Sequence, residues 1–177
     1  MALTETAMAT AASEVNRNPS FDLRWLKPAK DISLPLIVRG DFGPRSFGGR
    51  YTPPERAEDD SYSSPLPLDR GIIAVNCNRL ARINGRHVEE ADTIAHEFRH
   101  HEQFLRGYNF RATWTPNNLD WGYGEEYDRN IRLYIRRNPT EQDAMRYAYR
   151  FVGARTALYG HLFDHLKMQP SDLKVLW

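Results

Sequence analysis

The chain has 177 residues, 41% hydrophobic and 27% charged, with a net charge of +1. This is enough apolar material for one core without disulfides, and the near-zero charge gives no strong field toward nucleic acid or a membrane surface. The lone cysteine, Cys77, excludes an internal disulfide and a multi-cysteine zinc site, and no apolar run is long enough to span a bilayer.

Residues 1–19 are rich in Ala and Thr. They are expected to form a tail, either loose or folded into a short helix on which Leu3, Ala7, Ala11 and Val15 share a face. Met1 to Ser20 has neither a basic start nor a continuous apolar core, so a cytoplasmic protein is expected. Residues 20–177 are read as a single domain. Phe21, Leu23 and Trp25 alternate with polar residues and predict a half-buried strand. Leu34 to Arg39 predicts a second strand, at a sheet edge because of Pro35. Gly40 to Leu68 is broken repeatedly by Gly and Pro and reads as one long loop that covers a cleft. Gly71 to Asn76 is the clearest strand, and its main chain is a candidate for aligning an extended substrate. A helix follows over Glu89 to Arg106, with Gly107 as its stop. Residues 107–123 read as loop and Glu125 to Arg136 as helix. Asn138-Pro139-Thr140-Glu141 supplies an N-cap, a proline at N1 and a carboxylate at N3, and predicts a helix running to about Met168. Strands followed by helices give an α+β fold: a small twisted sheet packed on the central helix and a C-terminal helical pair.

The central helix carries His96-Glu97-Phe98-Arg99-His100, which reads H-E-x-x-H. Residues four apart lie on one helical face, so His96 and His100 can bind one ion from one side, and Glu97 flanks them where it can take a proton from water. With this composition the pattern arises by chance in about one such sequence in a hundred, which favours a Zn²⁺ site over coincidence. A catalytic zinc takes three protein ligands. The extension with Gly and a third His fails, because Gln103 and Arg106 stand at those positions. The third ligand therefore comes from further on, and Glu125, Glu126, Glu141, Asp143, His161 and His165 are the candidates.

Pro139-Thr140-Glu141-Gln142-Asp143-Ala144, followed by Tyr147-Ala148, together with the H-E-x-x-H helix and the strand before it, resembles the short gluzincins, or minigluzincins, a compact class of zinc metallopeptidases. The likeness spans roughly residues 70–152, with specific residues only in the two motifs. The resemblance implies that His96, His100 and Glu141 bind zinc and that Glu97 is general base and acid in peptide-bond hydrolysis, on a peptide or protein substrate. Gluzincins carry Asp or Asn four residues past the ligand to orient a histidine. Met145 stands there in this chain, leaving Asp143 or Asp92 for that task.

Other features weigh less. His161 and His165 are also four apart, but no ligand pattern accompanies them, so a solvated or partly buried helix face is expected. His101 points about 100° away from His100 and is expected at the surface or behind the ligands. Arg129, Arg132, Arg136 and Arg137 are diluted by Glu125, Glu126 and Asp128, so nucleic acid is not an expected partner. Tyr123, Tyr127, Tyr134 and Tyr147 are candidates for stabilising an oxyanion. Cys77 is expected to be a lone buried thiol. The rival to the enzyme is a non-catalytic binding or regulatory protein built on the same zinc site.

Overall fold

The computed structural model of the protein describes residues 23–26, 28, 32–40, 48–54, 70–76, 86–110, 124–153 and 156–177. The tail at 1–19, Cys77 and Tyr123 lie outside the described residues. Three strands, β1 (Leu36–Gly40), β2 (Gly49–Thr52) and β3 (Ile72–Asn76), form a mixed sheet in the order β1-β3-β2. β3 pairs parallel to β1, with Leu36 opposite Ile72, and antiparallel to β2, with Gly49 opposite Val75. Alternation along β3 sends Ile73 and Val75, both 0% exposed, to the covered face.

That face is covered by α1 (Arg86–Leu105). Ile94, Ala95 and Phe98 recur at helical spacing and pack with Tyr51, Ile73 and Val75 into one core cluster. The helix stops at Gly107, whose φ of 77° is left-handed. There Gly107 N donates to Phe104 O at 2.9 Å and Tyr108 N to Gln103 O at 2.9 Å, the paired bonds of a Schellman cap. The other face of α1 meets α3 (Pro139–Val152), its chief helical neighbour.

α2 (Glu125–Arg137) and α3 are separated only by Asn138. A residue before proline is driven out of the helical region, and Asn138 has φ −120° and ψ 85°. Pro139 takes N1 as expected, but the Asn138 side chain does not cap α3; its Nδ2 donates back to Tyr134 O at 2.9 Å. α3 ends at Gly153, φ 60°, rather than near Met168. The chain restarts at Thr156, whose hydroxyl accepts from Tyr159 N at 3.3 Å, and continues as α4 (Ala157–Tyr159) and a π-helical turn (Gly160–His165). Ile131, Ile135, Met145, Tyr159 and Leu162 join α2, α3 and this segment in a second core cluster.

The fold is α+β. Three expectations within it need correcting. Leu23 to Leu26 is a 3₁₀ turn, not a strand, because the i, i+3 spacing of Leu23 and Leu26 puts both in the core. The long loop contains β2. β3 lies between two paired strands, so it has no free edge on which to align a peptide; β1, as Pro35 suggested, and β2 are the edges among the described residues. No helix among the described residues is long and apolar enough to cross a membrane.

Candidate metal centre

α1 and α3 bring His96, His100 and Glu141 together. His96 Nε2 is 3.2 Å from Glu141 Oε2, His100 Nε2 is 3.2 Å from Glu141 Oε1, and the two Nε2 atoms are 3.1 Å apart. Ligand atoms about 2.1 Å from a tetrahedral ion sit about 3.4 Å from one another, so these atoms could close on a metal with little movement. Glu141 reaches it from the first turn of α3, where the helix dipole also favours a carboxylate.

The hydrogen bonds behind the cluster fix which nitrogen faces it. Gln103 Nε2 donates to Thr140 O at 2.9 Å and to Asp143 Oδ2 at 3.0 Å. Both partners only accept, so the amide orientation is determined, and Gln103 Oε1 must face His100 Nδ1, 2.8 Å away. His100 therefore donates from Nδ1 to Gln103 and turns its Nε2 to the cluster, 3.2 Å from Glu141 Oε1. Asp143 is itself held by Arg99, through Nε at 2.8 Å and Nη2 at 3.2 Å, and Arg99 Nη1 also bonds Glu102 at 2.7 Å. The Arg99 guanidinium lies 3.8 Å from the centre of the Trp177 ring and 5.1 Å from that of Tyr147. For His100, the orienting role considered for Asp143 or Asp92 is taken by Gln103, with Asp143 behind it. Sequence reasoning missed Gln103, although its place three residues after His100 is a usable signal.

Charge in the cluster is strongly coupled. Burial disfavours the His96 imidazolium, but the Glu141 hydrogen bond and the charges of Glu141, Glu97 and Asp92 outweigh it and raise its pKa to about 9. Burial opposes the Glu141 carboxylate, yet His100 and His96 hold its pKa well below the usual range. Asp92, one turn before His96, is pushed up to about 6 by burial, against the pull of His96. Burial raises the Tyr134 phenol, and Glu141 raises it further through its charge and a hydrogen bond. Among the described residues, Tyr134 is thus the candidate tyrosine that meets this site. Tyr147 donates to Leu26 O at 3.1 Å, and Tyr127 lies against His161.

Glu97 projects from α1 toward β2, and its Oε2 accepts from Tyr51 N at 2.8 Å. β2 approaches this closely because residue 49 is glycine: a Cβ there would run into the Thr93 methyl and come within 3.1 Å of Glu97 Cγ. His101 points away from the ligands, as expected, but into the core rather than to the surface, and is 2% exposed. Its Nε2 donates to Ser33 O at 2.6 Å, so its Nδ1 accepts from the Tyr51 hydroxyl at 2.9 Å. Burial lowers its pKa, which keeps it neutral.

The remaining candidate ligands lie apart from this cluster. Glu125 and Glu126 are exposed at the start of α2, Asp143 faces Arg99 and Gln103, and His161 and His165 meet Asp128. The four arginines of α2 are exposed on its surface. No protein-family model, curated protein or solved structure gives a significant match to this chain.

Proposed function

We propose that the protein is a zinc-dependent peptidase that hydrolyses peptide bonds with His96, His100 and Glu141 as metal ligands and Glu97 as general base. The observation that carries this reading is the convergence of two imidazole nitrogens and one carboxylate at 3.1–3.2 Å, beside a glutamate on the same helix. Zinc held there supplies Lewis acidity, which polarises a carbonyl and eases deprotonation of water. Glu97 takes the proton from water and passes it to the leaving nitrogen. The Tyr51 amide steadies one Glu97 oxygen for that exchange. Tyr134 offers a hydroxyl that can turn from Glu141 to a developing oxyanion. β2, as an edge strand lying on Glu97, is the element that would align an extended peptide. A peptide or protein substrate and a cytoplasmic setting complete the proposal.

Glu97→Gln tests it. The change keeps size and ligands but removes the base, so hydrolysis of casein or a quenched-peptide library should fall by a factor of about 10² or more while zinc stays bound. Equal rates in wild type and variant would rule out Glu97 as the base. One observation favours a second reading, a zinc-holding binding or regulatory protein: the Glu97 carboxylate is already engaged by a backbone amide. Zinc bound in both proteins with hydrolysis in neither would support that reading.

A further inference from the structure

The C-terminal segment contains a second convergence that the proposed reaction does not use. His161 and His165 lie on the π-helical turn, closed by Leu166 N donating to His161 O at 3.0 Å. Such turns are rare and recur at functional sites. Lys167, directly after it, has a φ of 56°, a left-handed conformation uncommon for a residue other than glycine or asparagine. This backbone turns both imidazoles to the same partner on α2. His161 Nε2 is 2.9 Å from Asp128 Oδ1, and His165 Nε2 is 3.0 Å from Asp128 Oδ2. One ligand atom from each of the three residues lies within 4.8 Å of the others. Asp164, between the two histidines in sequence, is not part of this cluster; the cluster's carboxylate comes from Asp128 on α2, 33 residues before His161.

We propose that Asp128, His161 and His165 form a second site for a divalent transition metal, which ties the start of α2 to the C-terminal turn. Two imidazoles and one carboxylate are the donor set of zinc and its neighbours rather than of calcium or magnesium. The two Nε2–carboxylate distances, 2.9 and 3.0 Å, fall about half an ångström short of the tetrahedral edge of about 3.4 Å, a gap that small rotations of both imidazole rings close. The His161 and His165 rings stack with centres 4.9 Å apart. With His165 exposed, water can complete the shell, and nothing about the arrangement requires a substrate.

Zinc content measured by equilibrium dialysis and elemental analysis tests the proposal on the full chain. His161→Gln/His165→Gln should hold one equivalent fewer than wild type, and Asp128→Asn should show the same loss at low free zinc. The difference between these proteins is the readout, so the result does not depend on what the His96/His100/Glu141 cluster holds. Both histidines are on the surface or half-buried, and circular dichroism checks that the variants are folded. In a His96→Gln/His100→Gln protein, added zinc should still raise the melting temperature. Equal zinc content in wild type and His161→Gln/His165→Gln overturns the proposal and leaves Asp128 as a hydrogen-bond acceptor only. If His96→Gln/His100→Gln does not fold, the first comparison decides alone.

Discussion

A glutamine side chain has a donating end and an accepting end, and Gln103 uses both. Its amide nitrogen is fixed by Thr140 and Asp143, which leaves its oxygen for His100 Nδ1. Gln103→Leu keeps the bulk and removes this orientation. Zinc affinity should fall by roughly 10- to 100-fold, as for other residues that orient a ligand, with helix content unchanged. Competition with a chromophoric chelator measures it, and an unaltered affinity would show that His100 needs no such support. Residues of this kind differ in how legible they are. H-E-x-x-H is readable because four residues along a helix fix a shared face. Gln103 obeys the same local rule but carries no motif. Tyr51, 46 residues before Glu97, and Asp128, 33 before His161, are partners that only the fold brings into contact.

At the scale of elements, the contact between β2 and α1 depends on the missing side chain of Gly49. Gly49→Ala should destabilise the protein by about 1–3 kcal/mol, the usual cost of overpacking, because its methyl meets the Thr93 methyl and the Glu97 stem. Thr93→Ala in the same protein should recover much of that loss. A double-mutant cycle by chemical denaturation reads the coupling, and purely additive losses would mean that the two groups do not meet. β2 itself is hard to read from sequence. It is four residues long, lies among glycines and prolines, and gains its place from pairing with β3 and from Tyr51 entering the core. α3 was legible at its start, where Pro139 dictates the geometry. Its end was not, since helical periodicity carries on past Gly153 while the backbone there turns left-handed. The central position of β3 depends on strand order, which one strand's composition does not encode.

At the scale of the molecule, the proposed ligands join two helices that are distant in sequence, so metal binding should act on stability as a whole. Free zinc at 100 times its dissociation constant should add about 2.7 kcal/mol to unfolding. Glu141→Ala separates the two roles open to that carboxylate. As a ligand, its loss should weaken zinc binding at this cluster and reduce the rise of melting temperature with zinc to what the Asp128, His161 and His165 site contributes; as a helix-start carboxylate alone, its loss should cost about 1 kcal/mol and leave the zinc response intact. Asp143→Ala is a useful contrast, since Asp143 bonds Arg99 and Gln103 and should lower stability at every zinc concentration.

The metal-free cluster is also a store of one exchangeable proton. With the His96 pKa raised to about 9, the His96 ring carries at neutral pH a proton that a metal would displace. Loading at pH 7.5 should therefore release close to one proton from His96, and that proton should make apparent affinity climb about tenfold per pH unit before levelling above about pH 9. Calorimetric titrations in buffers of different ionisation enthalpy would show this as a heat that depends on the buffer. A buffer-independent heat would mean that His96 enters the exchange already neutral. In a poorly buffered solution, filling the site would acidify its surroundings, and mild acid would empty it without unfolding the chain.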